Sequence, residues 1–217
     1  SVVQRWDAIE DAMMSGGRPG QPSNVSRDRA RATAGAWAAE MLARSDVLFL
    51  DTETTGLDGH AEIVEIAVID TEGRALLNTL VRPDGVIPAE VIRIHGIDAT
   101  TVRDAPRWPE VYPSLLDLLQ RHQIIVYNAA FDFRLVNQMN QRCGFPLLTP
   151  AQEREWHCAM RRFASWRAEW NAKYGNYRWH KLDIALAAFG HPPPGHRALG
   201  DALACRMVVM GMARGDF

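Results

Sequence analysis

Short, wholly apolar runs alternate along this chain with longer stretches in which apolar residues recur every three or four positions. The two textures predict strands and helices. Val-Leu-Phe-Leu at 47–50 is the plainest of the first kind. Four consecutive large apolar residues predict a central strand buried on both faces. Glu62–Asp70 and Ala75–Val81 follow with β-branched alternation, and Gly73 between them marks a hairpin turn. A stretch punctuated by Pro83, Pro88, Pro106, Pro109 and Pro113 leads through a helix near 109–121 into a further buried strand, Ile124–Tyr127. Phe131–Cys143, Glu155–Asn171, Lys181–Gly190 and Ala198–Arg214 have helical spacing. Strands alternating with helices predict an α/β domain without internal repeats. Ahead of it, Val2, Trp6, Ile9 and Met13 form one helical stripe, and a Gly/Pro-rich stretch at 15–24 breaks regular structure. From Ser26, a predicted N-cap, to about Arg44 an Ala-rich run carrying Trp37, Met41 and Leu42 predicts a second helix. Residues 1–44 are therefore read as a helical extension and 45–217 as the principal domain.

Composition changes this picture little. With 217 residues, 47% hydrophobic and 23% charged, the chain can bury a sizeable core, which excludes disordered and collagen-like classes. No apolar run approaches the ~20 residues of a membrane span. A net charge of −2 argues against a general basic field for long duplexes but leaves room for a local basic groove. Cys143, Cys158 and Cys205 lie far apart, which predicts reduced core residues rather than disulfides or a thiolate zinc site. The chain starts at Ser1 without a basic-then-apolar pattern. We read a processing boundary rather than a signal peptide, and expect a cytoplasmic protein.

Three constellations carry chemistry. Asp51 and Glu53 directly follow the 47–50 strand, and a period of two puts both on one face. Two anions held so closely repel unless a cation binds or a proton is shared. Asp51, Glu53, Thr55, Gly56 and Glu62 also match EF-hand loop positions, but strand-like flanks replace the helices an EF-hand requires. Asn128-Ala-Ala-Phe131-Asp132 follows the 124–127 strand and puts Asp132 in the first turn of a helix, where a carboxylate is favoured by the helix dipole. His196 precedes Asp201 by five residues at the start of the last helix. The imidazole therefore sits on the entering loop, near a helix-borne carboxylate, an arrangement suited to proton transfer.

In this order the three constellations resemble the motifs of the DEDD exonuclease superfamily. His196 points to its DEDDh branch, and Arg197, four before Asp201, disfavours the Tyr-using branch. Ile94-His95-Gly96-Ile97 and Lys181-Leu182-Asp183 resemble secondary signatures of bacterial proofreading subunits, the epsilon type of DNA polymerase III. The resemblance covers roughly 46–214. It implies a ribonuclease H-like fold, with a mixed five-stranded sheet flanked by helices and its first three strands antiparallel. It also implies two Mg²⁺ or Mn²⁺ ions, for which four hard carboxylates are suited. Asp51 would bridge them, Glu53 and Asp201 would complete the nucleophile side, and Asp132 would act on the second ion largely through water. His196 would be the general base. Thr54, Thr55 and Leu57 would grip the terminal nucleotide, with His95 near its base or sugar and Asn128 and Phe131 forming the pocket floor.

The implied reaction is 3′→5′ release of nucleoside 5′-monophosphates from single-stranded or frayed DNA. Trimming of RNA 3′ ends, or a non-catalytic nucleic-acid-binding or polymerase-tethered module, is the alternative. Between Arg154 and Lys181 seven basic residues interleave with seven aromatic ones against two acidic residues, matching a single-strand groove. Trp166 and Trp170 suit a core stripe, whereas Tyr174–Trp179, including Arg178 and Trp179, reads as a nucleic-acid loop. The Trp6–Met13 stripe suits packing, a tether, or contact with a polymerase or other replication or repair partner.

Overall fold

The apolar run at 47–50 becomes the first half of β1 (Val47–Thr54), the middle strand of a five-stranded sheet. In the computed structural model, which describes residues 20–215, β2 (Ile63–Asp70) pairs antiparallel with β1, and β3 (Ala75–Leu80) antiparallel with β2. On the other side, β4 (Gln123–Val126) and β5 (Trp156–Cys158) run parallel to β1, in the order β3-β2-β1-β4-β5. The helices are α1 (Asn24–Leu42), α2 (Ala89–His95), α3 (Trp108–Arg121), α4 (Ala129–Cys143), α5 (Pro150–Glu153), α6 (Ala159–Arg167), α7 (Leu182–Ala187) and α8 (Ala198–Arg214). A two-stranded ribbon, β6 (Trp170–Asn171) with β7 (Asn176–Tyr177), lies between α6 and α7.

The pleat sorts the strands' side chains between two cores. Val47 and Phe49 face a cluster with Trp37 and Met41 of α1, Phe163 and Trp166 of α6, and Val208 and Met212 of α8. Leu48 and Leu50 face Trp108 and Leu115 of α3 and Leu135 and Met139 of α4. Both faces are covered, which is why β1 begins as an uninterrupted apolar run. Each such side chain stabilises the fold by about 1.5–3 kcal/mol relative to exposure.

Several expectations are corrected. The first described helix starts at Asn24 with Ser23 as N-cap, its hydroxyl accepting from the Ser26 amide, so Ser26 lies inside the helix. The expected helix 155–171 contains β5, then α6, then β6. Three residues of strand are too short to show a period, and pairing with β4 decides their state. Asp51 and Glu53 lie within β1, because pairing with β2 carries the strand past Leu50. Trp166 is a core residue, 2% exposed, but Trp170 is on β6, edge-on to Tyr177. The expected helix at 2–14 and its Trp6 stripe lie outside the described residues. No described helix is long and apolar enough to cross a membrane, and Cys143, Cys158 and Cys205 are free thiols.

β4 pairs with β1 only through Val47–Phe49. Beyond that point the chain leaves the sheet into α4, and Asp51–Thr54 is paired on the β2 side alone. Parallel strands diverging at their carboxyl ends open a crevice of the kind that holds ligands in α/β sheets.

Candidate active site

β1 sends Asp51 and Glu53 to the face that Val47 and Phe49 begin, toward α8, while Thr52 points to α4. Carboxylate oxygens of Asp51, Glu53 and Asp201 lie within 4.8 Å of one another. Asp132, in the first turn of α4 and 4% exposed, is fixed across the crevice by the Thr52 hydroxyl, which donates to its Oδ1 at 2.6 Å. These four residues, with Tyr127, Asn128, Phe131, Leu182 and His196, line a cavity of ≈ 210 Å³. Tyr127 closes one wall by donating its hydroxyl to the His180 carbonyl at 2.8 Å.

Burial disturbs every member, and crowded negative charge adds to it at Asp51 and Glu53. Burial, then the neighbouring Asp132, Asp201 and Glu53, pushes Asp51 well above the usual carboxylate range. Burial and Asp201 raise Glu53 to about 8. Burial raises Asp132 to about 7 against the Thr52 hydrogen bond, and burial raises Asp201 against the pull of His196. Asp201 Oδ1 is buried and has no hydrogen-bond partner among the described residues. Crowded hard oxygen donors with one left unsatisfied fit a divalent cation of the Mg²⁺ or Mn²⁺ kind.

A stability signature follows from the raised values. Between about pH 4.5, where the unfolded carboxylates ionise, and about pH 8, where Glu53 does so when folded, the folded chain holds protons that the unfolded chain has released. Stability of the metal-free protein is therefore greatest at the acid end of this window and falls as pH rises, by about 1.4 kcal/mol per pH unit for each extra proton held. Thermal melts in EDTA are expected to show this decline, and saturating Mn²⁺ is expected to flatten it. A flat profile in EDTA would sink the electrostatic account.

His196 stands on the loop entering α8, with a left-handed backbone, φ 50°. Its Nδ1 is 4.0 Å from Asp201 Oδ2 and its side chain is 59% exposed. The loop is held by two residues that sequence reasoning missed. Glu65 of β2, opposite Glu53 in register, accepts from Arg197 Nε at 3.0 Å and Nη2 at 2.5 Å. It also accepts from the Ala198 amide at 2.9 Å, so one carboxylate caps α8 and clamps the residue after His196. The available signal was a lone charge in the apolar run 63–69, since a buried charge needs a partner. Glu65→Gln is expected to lower kcat about 10–100-fold with little change in KM, as loss of a supporting partner does. A KM effect alone would contradict a positioning role.

The expected substrate-binding residues separate into groups. Asn128 and Phe131 line the carboxylate cavity. Thr54 and Thr55 are buried and their hydroxyls serve the turn: Thr54 donates to the Gly56 carbonyl at 2.7 Å, and Thr55 accepts from the Glu62 amide at 2.9 Å. Leu57, 78% exposed, projects beyond that turn. His95 accepts the Ile97 amide on Nδ1 at 3.0 Å, which leaves Nε2 to donate to the Thr54 carbonyl at 3.2 Å. Its burial lowers its pKa, so the neutral ring props the turn from behind. Arg178 is turned to Glu169 at 3.2 Å. Trp179, 58% exposed, borders a second cavity beside Asn128.

The geometry agrees with what known proteins show. A family model described as exonuclease matches residues 48–208. An exonuclease of Escherichia phage 186 is 40% identical over 178 residues, covering 78% of this chain and 89% of the phage protein. The DNA polymerase III subunit epsilon of Rickettsia conorii is 35% identical over 97 residues, a match covering 42% of each chain. Among solved structures, the nuclease domain of 3′hExo, a DEDDh family member bound to rAMP, superposes with a TM-score of 0.61 at 18% identity, over 80% of this chain and 94% of that domain. With four carboxylates lining one cavity, a histidine five residues before the last of them and a ribonuclease H-like sheet beneath, this chain belongs to the exonuclease family.

Proposed function

We propose that this chain removes nucleoside 5′-monophosphates from the 3′ end of single-stranded or frayed DNA, in proofreading or repair. The observation that carries the reading is the meeting of Asp51, Glu53 and Asp201 within 4.8 Å, with Asp132 facing them and His196 at the rim. Likeness to DNA polymerase III epsilon subunits supports DNA over RNA, and supports a polymerase or other replication or repair partner reached through residues 1–44.

Asp51, Glu53, Asp132 and Asp201 would hold two Mg²⁺ or Mn²⁺ ions. When bound, such ions supply Lewis-acid stabilisation of the charge that develops on the phosphate and its leaving oxygen. His196 takes the proton of the attacking water; its Nδ1 faces Asp201, which leaves Nε2 as the accepting nitrogen. Thr52 keeps Asp132 aimed into the crevice, and the Glu65–Arg197 pair keeps His196 over it. Phe131 and Asn128 frame the terminal nucleoside, Leu57 wedges beside its base, and the Thr54–Thr55 turn, braced by His95, presents backbone groups to it. Arg178 and Trp179 belong to the approach of the strand.

The test is a time course on matched 5′-labelled DNA and RNA single strands in Mg²⁺, Mn²⁺ or EDTA. A ladder shortening from the 3′ end of DNA, absent in EDTA, is expected. Faster shortening of RNA would reassign the substrate, and an unchanged band in every metal would overturn catalysis in favour of a binding module.

A further inference from the structure

Next to the carboxylate cavity, and sharing Asn128 with it, lies a larger one of ≈ 590 Å³. It opens on the β5 side of the sheet, where Trp156 ends up beside Phe133 of α4. Its volume is within the ~300–1,000 Å³ typical of ligand sites. Two exposed guanidiniums enter the lining, Arg154 after α5 and Arg161 in the first turn of α6, and neither has an ion-pair partner among the described residues. Among the described residues Glu153 is the one carboxylate in the lining. Trp179 borders the same space and is 58% exposed, whereas Trp37, Trp108 and Trp166 are all fully buried. Leaving so large an aromatic surface in water is unfavourable unless something covers it.

We propose that this cavity holds the body of the substrate strand, the nucleotides immediately 5′ of the bond to be cut. The inference rests on the exonuclease reading of the neighbouring site and deepens it. A phosphate placed over Asp51 and Asp201 has a single nucleoside on its 3′ side, ending in a hydroxyl, so that side presents no further phosphate. The 5′ side presents one phosphate and one base per nucleotide. Cations paired with an exposed aromatic ring match the second side, where phosphates meet guanidiniums and bases stack. Asn128 lines both cavities, and the path assigned to the strand enters past Trp179 and crosses the carboxylates toward Phe131. Neither contact reads a base edge, so the path is sequence-tolerant.

The experiment measures kcat/KM in Mg²⁺ for 5′-labelled oligothymidylates of two, four and eight nucleotides. In the unaltered protein the value is expected to rise with length by about tenfold or more, the order of one stacked base and its phosphates. In Arg154→Glu/Arg161→Glu the rise is expected to vanish, mainly through KM. Trp179→Ala, at an exposed position where the fold is not at stake, is expected to flatten most of it, and Arg154→Lys/Arg161→Lys to restore it. A length dependence unchanged in both the charge-reversed and the Trp179→Ala proteins overturns the inference alone. Failure of the unaltered protein to cut any of the oligonucleotides overturns the exonuclease reading itself.

Discussion

Asp51→Asn is expected to reduce metal-dependent shortening of a labelled strand by at least about 10³-fold, equivalent to some 4 kcal/mol of lost transition-state stabilisation. The reason is positional. Asp51 is partly buried where β1 outruns β4, and its oxygens lie among those of Glu53 and Asp201, so no other carboxylate can take its place. The same substitution is expected to stabilise the metal-free protein. An amide of equal size removes a charge that burial and four neighbouring carboxylates oppose. At about pH 8 the melting temperature should rise, by roughly 2–4 °C for each kcal/mol relieved in a chain of this size. Added Mn²⁺, which is expected to raise the melting temperature of the unaltered protein, should raise that of Asp51→Asn far less. Activity lost with metal-induced stabilisation intact would move Asp51 out of the ligand set, and retained activity would remove it from the mechanism.

His196→Ala is expected to lose about 10²–10⁴-fold in kcat, the range for a positioned general base, while calorimetric Mn²⁺ affinity stays within a few-fold. The two variants are thus expected to fail differently. In the proposed mechanism Asp51 acts through the cation, whereas His196 stands beside the carboxylates with its Nδ1 4.0 Å from Asp201 Oδ2. Its left-handed backbone costs on the order of 1–3 kcal/mol in a non-glycine residue. The Glu65 clamp on Arg197 and the Ala198 amide offsets that cost. Full rate in His196→Ala would refute the base assignment, and a large fall in metal affinity would place His196 among the ligands.

The residues themselves made much of this legible. A four-residue apolar run reads as a strand covered on both faces, and two acids spaced by two on its continuation share a side. Asp132 after Asn128 and His196 before Asp201 were recognisable as parts of one arrangement through the resemblance of these motifs, in this order, to those of the DEDD exonucleases. What local patterning could not convey was anything that depends on a partner distant in sequence. Glu65 and Arg197 are separated by 132 positions, and nothing near either announces the other. β5 is three residues long and exists because β4 offers it a hydrogen-bonding edge. The Arg178–Glu169 pair arises because the β6–β7 ribbon folds back on itself, a contact that no local pattern announces.

The sequence by itself determined most element types and the burial of the sheet, since these follow from side-chain period, and the resemblance of its motifs to the DEDD exonucleases singled out the four acids and the histidine. Only the tertiary structure decided how far β1 runs beyond β4, which oxygens converge, what holds the His196 loop, and that Trp179 and two exposed guanidiniums share a cavity next to the carboxylates. The physical reason is the same in each case. Periodicity and capping act over a few residues, whereas electrostatic crowding and cavity shape are set by segments that packing alone brings together.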